Sequence, residues 1–150
     1  MPGQKNFDEI DPNTPVLIAG QTASGKSHLA LKIAEKYGGI IINTDAIQVY
    51  NNWRILTARP SDMDEAKIEH KLYGHIDGAT DYSVGTWIKE VNEILSSNLR
   101  PIIVGGTGLY FSALTNGLVD IPEISEAIRL EANNRIKKNG FESLVGEIDE

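Results

Sequence analysis

The chain has 150 residues, 41% of them hydrophobic and 23% charged, which is ordinary for one globular domain with a real core. It contains no cysteine, so disulfides, zinc–thiolate sites and a cysteine nucleophile are excluded. The net charge of −7 argues against a broad nucleic-acid-binding face, and any RNA contact made by these residues is expected to be local.

Residues 1–14 read as a flexible tail, polar and mixed in charge, with Gly3, Pro12 and Asn13 and little to bury. This stretch has no apolar h-region and no Arg-rich amphipathic pattern, so it reads as neither an export nor a transit signal. Val16 to Ala19 is a short apolar run before a glycine, the pattern of a strand buried on both faces. After Lys26 the apolar residues Leu29, Ile33, Ala34 and Tyr37 fall at helical spacing until Gly38-Gly39 stops them. Ile40 to Ile42 is a second buried strand, and strand, helix, strand in this order argues for a parallel sheet. Asn51 to Glu69 has no clear period and reads as a long loop with one exposed helical turn at most. Leu72 to Ile76 is expected to form a short edge strand. Ser83 is placed to cap a helix reaching about Ser97, with Val84, Trp87, Ile88, Val91 and Leu95 on one face. Ile102 to Val104 is a third strand, closed by Gly105-Gly106, and a helix is expected from about Leu109 to Leu114. Pro122 breaks the chain, a further helix spans about Ser125 to Lys138, and another begins near Phe141. No apolar run approaches the roughly 20 residues of a membrane span.

Gly20, Gln21, Thr22, Ala23, Ser24, Gly25, Lys26 and Ser27 match G-x-x-x-x-G-K-[ST] between a strand and a helix, the context this phosphate-binding loop needs. The glycines let successive N–H groups point inward, and the helix N-terminus adds partial positive charge. Lys26 neutralises phosphate oxygens, and the Ser27 hydroxyl is placed to help hold Mg²⁺. The loop says phosphate, without saying which one. Asp45 follows the second strand, where the carboxyl ends of parallel strands face a ligand crevice. A carboxylate there can accept a proton or help hold a metal. It can equally be a helix N-cap, since Gln48 three residues on completes a capping-box pattern. Gly105-Gly106-Thr107-Gly108 follows the third strand on the same sheet edge, and Thr107 can reach a phosphate oxygen or simply turn the chain into a helix. Trp53, in the long loop, is either a stacking platform for a base or a packed anchor. Trp87 reads as core. His28, His70 and His75 lack ligand spacing, and Asp62, Asp64, Glu65 and Glu69 read as a solvated face.

Taken in order, these segments resemble the tRNA dimethylallyltransferase family. The loop Gly20–Ser27 is similar to that family's Gly-Pro-Thr-Ala-Ser-Gly-Lys-Ser/Thr. Asn43 to Tyr50 looks like its Asp-Ser-x-Gln-x-Tyr segment, and Ile55 to Ser61 like its Ile-Gly-Thr-Ala-Lys-Pro-Ser. His70, Tyr82-Ser83, Val104 to Tyr110, Gly117-Leu118 and Pro122 continue the pattern over roughly residues 15–145. The resemblance implies an α/β, P-loop NTPase-like three-layer fold with a parallel sheet, truncated at its C-terminal side. Residues 15–118 would be the catalytic core and 119–150 the start of a helical tRNA-binding insertion. It also implies transfer of a dimethylallyl group from dimethylallyl diphosphate to the exocyclic amine of the adenine 3′ to the anticodon. Asp45 would be the general base. Ala46, Ile47 and Gln48 would contact the flipped-out base together with Asp45 and Thr107. Thr107 would hydrogen-bond the bridging oxygen of the leaving diphosphate, with Mg²⁺ at Ser27 as cofactor. Arg129 falls where the family has an arginine near the tRNA, and the anticodon stem-loop of a tRNA would be the partner. The protein would be cytoplasmic, monomeric and without a membrane anchor.

Gln21, Ala46 and Arg59 depart from the family's usual proline, serine and lysine. The chain is also about half the family's length and reads as a fragment. Two other readings stay open on the residues alone: a P-loop small-molecule kinase, and a non-catalytic phosphate-binding fragment.

Overall fold

The computed structural model describes residues 10–11, 13–119 and 124–145. The chain divides into two compact units, 1–118 and 119–150.

In the first unit, β1 (Val16–Ala19), β2 (Ile40–Asn43), β3 (His70–Lys71) and β4 (Pro101–Gly105) form a sheet in the order β1-β4-β2-β3. Every pairing is parallel, with Ile18 opposite Val104, and Ile42 opposite Ile103. Alternation along the strands sorts the apolar side chains onto two faces. Ile18, Ile41, Ile102 and Val104 meet Ala30, Ile33 and Ala34 of α1 (Lys26–Tyr37). Ile40, Ile42 and Ile103 meet Trp87 and Val91, on a later helix, and Tyr110. Both faces are covered along β2 and β4, which is why these two read as unbroken apolar runs. β1 lies at the sheet edge and is not buried on both faces as its apolar run suggests: Ile18 is buried, while Leu17 is 44% exposed and Ala19 is exposed.

Between β2 and β3 the chain is more ordered than a bare loop. Ser61 and Asp64 close a reciprocal capping box that starts α2 (Asp62–Lys67). Arg54 ties the preceding turn to Pro60 O and to the Asp62 carboxylate. The edge strand is His70–Lys71 and not Leu72–Ile76. Leu72 (φ 63°) and Gly74 (φ 56°) turn left-handed and end the strand, leaving one isolated parallel bridge between Tyr50 and Ile76. Ser83 Oγ accepts from Thr86 N and starts α3 (Val84–Leu95), whose Trp87 is fully buried and stacks on Tyr110 at 4.5 Å. The next helix, α4, is Gly108–Asn116.

Of the tail expected over 1–14, residues 1–9 and 12 lie outside the described residues. Asp11 and Thr14 are gripped from below the sheet: Arg100, 9% exposed, donates from Nε to Thr14 O (2.8 Å) and from Nη2 to Asp11 O (3.1 Å).

The second unit holds α5 (Glu126–Asn139), with Ser125 Oγ as N-cap, and the short α6 (Glu142–Val145). The expected break at Pro122 and the helix beyond Val145 lie outside the described residues.

Candidate active site

The loop Gly20–Ser27 turns β1 into α1. Ala23 (φ 62°) and Gly25 (φ 86°) are left-handed. α1 therefore begins with no side-chain cap and no acid in its first turn, leaving its first amides and its dipole unanswered. Lys26 folds back and donates from Nζ to Gln21 O (2.6 Å), so the ammonium is held over the loop's own concave face. A Cβ on Gly106 would stand 3.4 Å from Gly20 O, which puts the two glycine-rich loops side by side.

Asp45 is positioned by a fully buried neighbour. Asn43 Oδ1 accepts from Asp45 N (2.8 Å), while its Nδ2 donates to Asp45 O and Leu72 O, both at 3.0 Å. The Asn43 carbonyl in turn accepts from the Trp87 indole (2.8 Å). The Asp45 carboxylate uses Oδ1 to accept from Ile47 N (3.0 Å) and Gln48 N (3.4 Å). It caps a hydrogen-bonded turn and not a helix, and Gln48 does not close a capping box. Gln48 Nε2 reaches instead to Thr57 O (2.7 Å) and Ala58 O (3.3 Å), tying down the long loop. Beside it, the Arg59 guanidinium donates to Tyr50 O (3.2 Å) and fills the space where a Cβ on Gly74 would be.

Thr107 joins the third segment to the second. Its N–H donates to Thr44 O (3.2 Å), and its Oγ1 accepts from Ala46 N (3.0 Å). A hydroxyl that already accepts in this way keeps its own proton to donate. α4 begins here without a side-chain cap, the Thr107 hydroxyl being turned to the Ala46 amide and not to its own helix.

Two cavities meet at Asp45. One, of about 90 Å³, is mostly polar and is lined by Thr22, Lys26, Ser27, Asp45, Gln48 and Tyr73 among others. The second, of about 360 Å³, is mostly apolar; Ile47, Trp53 and Leu56 line it with Thr22, Asp45 and Thr57. Trp53 is 62% exposed and therefore a wall of this cavity and not a packed anchor. Among the described residues no cluster of His, Asp or Glu side chains could hold a metal ion by itself.

The structure thus brings Gly20–Ser27, Asp45–Gln48 and Thr107 to one sheet edge. Ile47 is exposed at the mouth, and Arg129 is exposed on α5 of the second unit. Two participants escaped the sequence. Asn43 had a readable signal, a polar residue ending a run of isoleucines at the carboxyl end of a strand. Tyr73 had none, because its placement depends on two left-handed neighbours.

Family models, curated relatives and solved structures match this chain. The IPP transferase family model matches residues 48–150 and the isopentenyl transferase model matches residues 14–78. A tRNA dimethylallyltransferase of Cereibacter sphaeroides (strain KD131) is 53% identical over 141 residues, covering 94% of this chain and 45% of the relative. One of Dinoroseobacter shibae is 58% identical over 128 residues, covering 85% and 43%. Among solved structures, the full-length tRNA isopentenylpyrophosphate transferase of Bacillus halodurans superposes with a TM-score of 0.67 at 27% identity, covering 91% of this chain and 46% of that one. A eukaryotic dimethylallyltransferase acting on tRNA gives a TM-score of 0.66 at 27% identity, covering 83% and 35%. The chain spans a little under half the length of the curated relatives it matches. With a family model over more than half of its residues and a shared parallel α/β fold, the chain belongs to the IPP transferase family.

Proposed function

We propose that this chain carries the donor-binding and proton-accepting part of a tRNA dimethylallyltransferase. The observation that carries the reading is the place of Asp45, at the junction of a polar cavity floored by the phosphate loop and an apolar one walled by Ile47, Trp53 and Leu56. Dimethylallyl diphosphate has that same division, a multiply charged head and a short hydrocarbon tail. The loop amides, Lys26 and the α1 dipole would hold the head. The attacking group would be the exocyclic amine of the adenine 3′ to the anticodon, extruded from its stack against Ala46 to Gln48.

In the transfer, the amine nitrogen bonds the allylic carbon as the carbon–oxygen bond breaks, and diphosphate leaves with the bonding pair. Asp45 takes the amine proton. Its orientation is fixed through Oδ1, and the second carboxylate oxygen remains to accept. Thr107, oriented by the Ala46 amide, donates to the bridging oxygen on which charge develops.

Mg²⁺ fits this site as a companion of the diphosphate. Ser27 opens into the polar cavity, and a hard-oxygen set of one hydroxyl, phosphate oxygens and water suits that ion. Bound there, it would neutralise charge on the leaving group.

Residues 119–150 would begin a tRNA-binding part. α5 carries Arg129, Arg135, Lys137 and Lys138 against Glu126 and Glu131, a local basic surplus in an acidic chain. A cytoplasmic monomer goes with this reading, and no described helix is long and apolar enough to cross a membrane.

The test is a chimera in which this chain replaces the matching half of the Cereibacter sphaeroides relative. It is incubated with labelled dimethylallyl diphosphate and unmodified tRNA. Label in the tRNA, lost with Asp45→Ala while diphosphate binding persists, is the expected result. ATP-dependent phosphorylation of a small acceptor with no label in the tRNA would favour a kinase and overturn the proposal.

A further inference from the structure

Tyr73 lines the polar cavity with Lys26, Ser27 and Asp45, and the mechanism above does not use it. Its position is imposed by the backbone on either side. Leu72 and Gly74 are both left-handed, a conformation that a leucine keeps only where its surroundings hold it. Both are held by the segment that carries Asp45. Asn43 Nδ2 donates to Leu72 O (3.0 Å), and Gly74 N donates to Gln48 O (2.8 Å). Strain maintained in this way is characteristic of ligand sites.

The Tyr73 ring packs on the α1 side of the core and meets His70 edge-on, with centroids 5.5 Å apart. Among the described residues its hydroxyl has no hydrogen-bond partner, and it is not one of the polar atoms sealed away from solvent. Burial first, and then the nearby charges of Asp45 and Glu65, push the phenol well above its ordinary range. It is therefore protonated at neutral pH and can donate.

We propose that Tyr73 is a ligand-contacting residue of this site, donating a hydrogen bond from its phenol to a nonbridging oxygen of the diphosphate. The identity of that ligand rests on the proposed function. An uncharged donor adds direction where Lys26 adds charge, and a hydrogen bond to an anionic oxygen is among the stronger kinds.

The test uses the whole 150-residue chain and inorganic pyrophosphate with Mg²⁺, by titration calorimetry. Tyr73→Phe keeps the ring and removes the hydroxyl. Binding is expected to weaken about tenfold, with the ligand-free melting temperature unchanged. Pyrophosphate is also expected to shift the tyrosine ultraviolet difference spectrum of the wild type, a readout that does not depend on the variant folding. Equal binding by wild type and Tyr73→Phe, or no spectral shift on binding, overturns the inference while leaving the diphosphate site standing. Failure of the wild type to bind pyrophosphate overturns both, and is told apart by that result.

Discussion

Replacing Asn43 by aspartate tests whether the buried amide holds the Asp45 segment. The side chain is fully buried, and its Nδ2 donates to two carbonyl oxygens, Asp45 O and Leu72 O, each at 3.0 Å. In Asn43→Asp an oxygen takes the place of that nitrogen. If the new carboxyl is protonated it serves one carbonyl and abandons the other, a loss of about 1 kcal/mol. If it ionises, an unpaired buried charge faces two carbonyl dipoles, at a cost of about 3–5 kcal/mol. The folded state therefore raises the pKa of the new group above its unfolded value of about 3.9. A raised pKa means that the folded form binds the proton more tightly. The deficit relative to wild type is then smallest below about pH 4 and grows as pH rises toward the folded pKa, by at most about 1.4 kcal/mol per pH unit. Urea unfolding of both proteins, followed by tryptophan fluorescence at pH about 4, 5 and 6.5, should show the gap widen. Asn43→Ala has no titrating group and should give a gap that does not change with pH. A flat or negligible gap for Asn43→Asp would refute the two-carbonyl arrangement.

Three other outcomes follow from the same geometry. A Cβ on Gly105 would lie 2.5 Å from Thr44 C and 2.6 Å from Thr44 O, both backbone atoms. Gly105→Ala should therefore destabilise the chain by about 1–3 kcal/mol, read from its denaturation midpoint, and weaken pyrophosphate binding because Thr44 O also holds Thr107 N. In the chimera, Thr107→Val should lower single-turnover transfer by about 10²-fold with little change in donor affinity, and Thr107→Ser should restore most of it. Tyr73, Tyr82 and Tyr110 all have raised pKa values, first through burial. Above pH about 10 the unfolded chain releases phenolic protons that the folded chain keeps, so stability is complete below that pH and falls as pH rises, measurable as a dropping urea midpoint.

The sheet and its coverings were legible because they obey local rules. Ile40–Ile42 and Ile102–Val104 are apolar on both faces, and Ser83 announces α3 by its spacing from Trp87 and Val91. The turn Gly20–Ser27 between β1 and α1 was legible because its backbone needs glycine at a fixed position, Gly25 being left-handed. What escaped depends on partners distant in sequence. The edge strand starts two residues earlier than the run Leu72–Ile76 suggests, because Leu72 adopts a backbone that nothing in a leucine advertises. The Ser61–Asp64 capping box was readable but hidden in an aperiodic stretch. Whether Asp45 capped a helix or served a site was open in the sequence. The structure answers only the local part: its carboxylate caps a turn, and Gln48 is occupied with Thr57 and Ala58.

The Arg59 guanidinium, lying where a side chain on Gly74 would project, makes two positions 15 residues apart into a single choice for anyone varying this protein. Any residue other than glycine at 74 evicts the guanidinium and must also accept a left-handed backbone. Shortening residue 59 frees the space but releases Tyr50 O from its donor. A library that randomises 59 or 74 alone should return few survivors, and one that randomises both should return them in pairs. Transplanting the lysine common at position 59 in the family would then be a test of the surrounding loop as much as of the charge.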